Sequence, residues 1–136
     1  MMLSTMELQL KLIGVFLIFL GAIHVFFPRY FSWKQEFSTV SLINRQMMYV
    51  HTFFIAFAVV LNGLLCLTSA NELMTTPLGK RLCLGIGVFW AVRLFFQFFV
   101  YSSQLWKGKR FETAMHLLFV FLWSYISAVF IWVGYA

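Results

Sequence analysis

The chain has 136 residues, 62% of them hydrophobic and only 10% charged, with a formal net charge of +6. A soluble domain is about 45–50% apolar and about a quarter charged, and one this short buries only about 60% of its surface. Lipid is therefore the solvent that fits this composition. The excess of bases would raise nucleic acid as a partner in a soluble protein. Here the bases sit in short connections between apolar runs, which points to anionic lipid head groups and not to nucleic acid.

Four apolar runs follow in chain order: Leu8 to Phe27, Met48 to Leu67, Leu82 to Tyr101 and Ala114 to Tyr135, each of 20 to 22 residues. About 20 residues cross the hydrocarbon core as a helix. Only helices or closed barrels satisfy their backbones in lipid, and the runs lack the period-two alternation of barrel strands. The expected fold class is all-α: a single polytopic domain over residues 1–136, folded as an antiparallel bundle of four transmembrane helices. The helices are expected at about 8–27, 41–68, 81–102 and 112–135, with an interfacial segment at about 28–40.

The first run does not read as a cleaved signal peptide, because Glu7 precedes it and Leu20-Gly21-Ala22 is a poor cleavage site. Pro28 is expected to break the first helix. After it, Tyr30, Phe31, Trp33 and Phe37 alternate with Arg29, Lys34 and Glu36, a mixture suited to the head-group layer. Ser41 or Ser38 is expected to cap the second helix. Thr68 to Arg81 reads as a plain loop, and Ser102 to Glu112 as a basic one. The first and third connections carry Arg29, Lys34, Arg45, Lys107, Lys109 and Arg110, against Lys11, Lys80 and Arg81 on the other side. That bias places those connections in the cytoplasm and both termini outside, as in a bacterial inner membrane.

Polar residues inside the runs are costly and therefore informative. At 100° per residue the first helix aligns Gly14, Gly21 and His24, and the second aligns His51, Ala58 and Asn62. The third aligns Trp90, Arg93, Gln97, Tyr101 and Gln104, and the fourth Glu112, His116, Trp123, Ser127 and Gly134. All three histidines fall in one layer, about 5 Å inside the helix ends on the expected cytoplasmic side. Gln97 and Tyr101 share that layer, and Arg93 lies deeper.

Three chemistries fit such a layer. His24, His51 and His116, with Glu112 as a ligand or ligand partner, could hold a transition metal ion. Two of the histidines could ligate a haem, with Arg29, Arg45 or Arg110 meeting its propionates. Arg93, Gln97, Asn62 and Tyr101 could instead line a proton or substrate path, or take an anionic quinone, fatty-acid or lipid head. Against these stands an ordinary structural role, since interfacial histidines often only hydrogen-bond between helices.

The function classes kept open are a metal- or haem-binding membrane protein, an accessory subunit of a larger membrane complex, and a small transporter or lipid- or quinone-binding protein. A membrane-protein partner or a homo-oligomer belongs with the second and third. Glu7, Glu36, Glu72 and Glu112 all lie at or outside the helix ends, which disfavours a proton-coupled transporter. No GxSxG, phosphate loop or carboxylate pair is present, and Ser124, Tyr125 and Ser127 are read as bonds between helices. Cys66 and Cys83 form no CxxC pair and read as packing residues that could meet at one end. The aromatics are read as packing or lipid-facing, with Trp33, Trp106 and Tyr135 at the head-group belt.

Overall fold

In the computed structural model the described residues are all except Met1, Ser102 and Trp106, and the side chains of Met2, Leu3, Ser4 and Ser103 are also left aside. Among them there is no strand. The helices are α1 (Met2–Ile23), α2 (Phe27–Tyr30), α3 (Trp33–Glu36), α4 (Leu42–Thr68), α5 (Ala70–Thr75), α6 (Pro77–Phe99) and α7 (Arg110–Tyr135). Short 3₁₀ turns cover His24–Phe26 and Ser103–Leu105. Four stretches, Thr5–Tyr30, α4, α6 and α7, are long and apolar enough to cross a membrane. Their outer faces carry large apolar side chains: Phe19, Phe53 and Phe121 are 64%, 60% and 68% exposed. Such greasy surface on every long helix is untenable in water and ordinary in lipid. The chain divides into two compact units, Leu10–Ala70 and Asn71–Ala136, the latter joined by the first residues of the chain.

In the first unit α1 and α4 run antiparallel with their backbones in close approach. A methyl group added to Gly63 would come within 2.6 Å of the Gly14 carbonyl oxygen, and one added to Gly14 within 2.7 Å of the Gly63 oxygen. Gly21 meets Ala56 and Val60 two turns further along. Small residues at such spacing let dispersion contacts accumulate where lipid offers no hydrophobic drive for association. The Gly14 and Gly21 face is thus the packing face expected of it. The packed face of α4 differs from expectation: Ala56, Val59, Gly63 and Cys66 are buried, whereas His51 and Ala58 are exposed and Asn62 is half-buried. The glycine at 63 sets that rotation, because it alone admits the α1 backbone.

Pro28 does not end the helical path. It would withdraw a hydrogen bond from the His24 carbonyl and press its ring against it. The chain answers upstream: His24–Phe26 tightens to a 3₁₀ turn, and the Phe27 N–H takes the His24 oxygen. Pro28 then sits in the first turn of α2, where a missing N–H costs nothing. Ser32, in the left-handed region at φ 54°, separates α2 from α3. Trp33, expected at the head-group belt, is instead buried against Phe37 and Tyr49, at 5.3 and 5.4 Å between ring centres. Ser41 occupies the position before α4 but makes no side-chain cap, and Ser38 Oγ donates to the Gln35 carbonyl. Trp106 lies outside the described residues, and Tyr135 is 81% exposed.

In the second unit the stretch read as a plain loop holds α5 and the start of α6. Thr76 joins them: its hydroxyl donates to the Glu72 carbonyl at 2.7 Å and accepts from the Gly79 N–H at 2.9 Å. With Pro77 in the first turn, this is a helix start written in local sequence. Helices α6 and α7 pack antiparallel along their length, Gly87 against Ile131 and Phe130, Gly134 against Leu84. Lys80 Nζ donates to the Ala136 carbonyl at 3.0 Å, setting a cation at the carbonyl end of α7. Ser124 and Ser127 donate to the carbonyls of Val120 and Trp123 in their own helix, not across to another. A hydroxyl in a greasy helix satisfies itself most cheaply on the carbonyl one turn back.

The glycine contacts separate packing from propensity. Gly63→Val should destabilise the protein by about 1–3 kcal/mol, since the α1 backbone has no room to yield. Gly85 has nothing within 4 Å of the added carbon, so Gly85→Ala should be neutral or stabilising by up to about 1 kcal/mol. Thermal unfolding in detergent measures both, and equal effects would show that the close approach is not what holds α1 to α4.

Candidate functional site

The polar residues of α6 and α7 meet where the end of α6 passes the beginning of α7. Arg93, Gln97 and Tyr101 recur at four-residue intervals along α6 and just beyond it, so they share one face. His116 and Trp123, seven apart, share a face of α7. The antiparallel pairing brings these faces together. Arg93 Nη1 donates to Gln97 Oε1 at 3.2 Å, and Gln97 Nε2 bonds His116 Nδ1 at 2.8 Å. The Arg93 guanidinium lies 5.3 Å from the Tyr101 ring centre and 5.4 Å from that of Trp123, within cation–π reach. Trp123 in turn stacks on Trp90 at 4.8 Å and on Phe119 at 5.4 Å.

The hydrogen positions follow from this chain of contacts. A guanidinium only donates, so the oxygen of the Gln97 amide must face Arg93 and its NH₂ must face His116. His116 Nδ1 then accepts, which places the ring proton on Nε2. Gln97 is 7% exposed, so the amide that links the two helices is held in one orientation by burial as well as by its two bonds.

The Arg93 side chain runs toward the C-terminal end of α6, over Gln97 and Tyr101. Sequence spacing places Arg93 deeper than the histidine layer. The structure shows it directed to the nearer end of its helix, Phe99 being six residues or about 9 Å along the axis. Among the described residues no carboxylate pairs with it: its contacts are Gln97, Tyr101 and Trp123. Nearby, the indole N–H groups of Trp90 and Trp123 are buried without an acceptor.

The expected metal ligands fare differently. His24 Nδ1 donates to the Leu20 carbonyl of its own helix at 2.8 Å, and its ring lies 4.5 Å from that of Phe27. His51 is exposed on α4, and Glu112 is exposed in the first turn of α7. His24 and His51 belong to one compact unit, His116 and Glu112 to the other. Among the described residues no group of three or more His, Cys, Asp or Glu is arranged to hold a metal ion, so the expected histidine cluster gains no support. The physical reason is local: the ring nitrogens of His24 and His116 seen bonding are turned to a helix carbonyl and to Gln97.

Asn62, expected on the polar path, accepts a weak bond from the Cys66 thiol at 3.8 Å. The Cys83 thiol points to the Leu73 carbonyl at 3.9 Å, and both cysteines are buried packing residues. Trp123, aligned with His116 in the sequence but not counted among the candidate site residues, is the α7 ring that meets Arg93. Its seven-residue spacing from His116 was the available signal. No family model, no curated protein and no solved structure matches the chain.

Interhelical hydrogen bonds in membrane proteins are worth about 0.6 kcal/mol on average and about 1.7 at most. Gln97→Leu, which removes the link between Arg93 and His116, should cost within that range in detergent unfolding. His51→Ala, at an exposed position, should stay within about 0.5 kcal/mol of the parent. A larger loss at His51 than at Gln97 would contradict the site as described.

Proposed function

We propose that this protein is a multi-pass membrane protein that binds the polar, oxygen-bearing head of a membrane amphiphile at the Arg93–Gln97–His116 network. The observation that carries the reading is the guanidinium of Arg93, which lies in an apolar helix, is flanked by two aromatic rings and has no carboxylate partner among the described residues. An intramembrane ionisable group with no internal counter-charge points to a ligand or ion site. Tyr101 and Trp123 supply flat apolar walls with polar edges, suited to the junction of head and chain. A lipid or a quinone is the class of amphiphile that this setting suits.

The four long helices are taken to form one antiparallel bundle in a bacterial inner membrane, with both termini outside. The distribution of bases supports that orientation, since Lys107, Lys109 and Arg110 follow the α6 end of the site and Arg29, Lys34 and Arg45 fall on the same side. The site would then open at the cytoplasmic leaflet.

Native mass spectrometry of protein purified in mild detergent tests the reading. The expected result is a co-purifying amphiphile at near-stoichiometric occupancy, reduced about tenfold or more in Arg93→Ala while circular dichroism shows helicity retained. Bare protein, or equal occupancy in the variant, would remove the proposal.

A further inference from the structure

Resting on that reading, we infer that the head taken by the site is an anion, a carboxylate or a phosphate, and that Gln97 is the residue that makes the site select it. The hydrogen-bond direction is the ground for this. Arg93 donates to Gln97, Gln97 donates to His116, and the imidazole proton is left on Nε2. The guanidinium end of the network therefore calls for acceptors. Only one guanidinium bond is spent inside the chain, leaving the Nε and Nη2 hydrogens without an acceptor among the described residues. The Arg93 side chain is half-buried and not enclosed.

A neutral carbonyl would satisfy the N–H groups but leave the charge uncompensated in a low-dielectric setting, which is costly. A two-oxygen anion answers both needs, because a guanidinium meets a carboxylate or phosphate through paired, charge-assisted bonds. Were residue 97 a carboxylate, it would stand about where Gln97 Oε1 stands, 3.2 Å from Arg93 Nη1, and neutralise the site from within. A neutral amide keeps Arg93 oriented while leaving its charge for the ligand.

The test measures binding of four probes to the detergent-purified protein by native mass spectrometry. Stearate and methyl stearate share one acyl chain and differ at the head, a charged carboxylate against a neutral methyl ester. Phosphatidylglycerol and diacylglycerol differ by the phosphate head. The expected result is an anion preference of about tenfold or more in at least one pair, and the pair with the larger ratio names the source of the head group. In Gln97→Glu that ratio should fall toward one while the neutral probe binds as before. Ratios near one for both pairs in the parent protein would overturn the inference and leave amphiphile binding standing. Retention of none of the four probes would remove both. An unchanged ratio in a folded Gln97→Glu would overturn the role given to Gln97, and the parent ratios decide the anion preference even if that variant does not fold.

Discussion

A backbone amide in hydrocarbon has no water to bond, and everything else in this protein follows from that constraint. It makes the long apolar segments helical, and it makes every departure from helix something the chain must repair on the spot. The 3₁₀ turn at His24–Phe26 is such a repair. It recovers the carbonyl that Pro28 would leave bare and lets the path continue to Tyr30. The serines of α7 repair in the same currency, bonding back to their own helix. Thr76 does so at a helix start, where one hydroxyl serves both the end of α5 and the beginning of α6.

With backbones satisfied internally, association of helices rests on closeness of fit. The α1–α4 pair achieves it through facing glycines, Gly14 against Gly63, so that backbone meets backbone. The α6–α7 pair combines Gly87 and Gly134 with stacked indoles and one amide link. That difference matters for function. A pair joined by glycines leaves little between its helices. A pair joined by large rings has aromatic walls and, at one end, a guanidinium beside them. Arg93 occupies that end, its guanidinium beside rings from its own segment and from the facing helix.

Much of this was legible in sequence. Hydropathy and length gave the four long segments to within a few residues at most ends, and the four-residue recurrence of Arg93, Gln97 and Tyr101 placed them on one face with His116 in their layer. Residues 70–75 and 77–80 were not legible as helix, because Pro77 was read as a loop signal when it was the first turn of α6 behind a Thr76 cap. The packed face of α4 is not legible from the alignment of His51, Ala58 and Asn62, because polarity alone does not say which side packs. In a lipid-facing protein a glycine is the stronger packing signal, since it sets which side another backbone can touch. The histidine layer gains no support as a ligand set among the described residues, and no helical wheel carries the contacts that turn His24 to the carbonyl of Leu20 and His116 to Gln97. Trp123 is legible as a member of the His116 stripe but not as a site residue, because chains this aromatic bury and expose rings everywhere, and only the pairing of α6 with α7 shows which ring meets the charge.

The central claim is that Arg93 receives its counter-charge from outside the chain. A structure of the protein in a lipid nanodisc, at a resolution that defines bound amphiphiles, measures this most directly. The account predicts a head-group oxygen within about 3 Å of the guanidinium edge not used by Gln97, between Tyr101 and Trp123. A guanidinium paired instead with a carboxylate or carbonyl of the protein itself, with only acyl chains alongside, would contradict it.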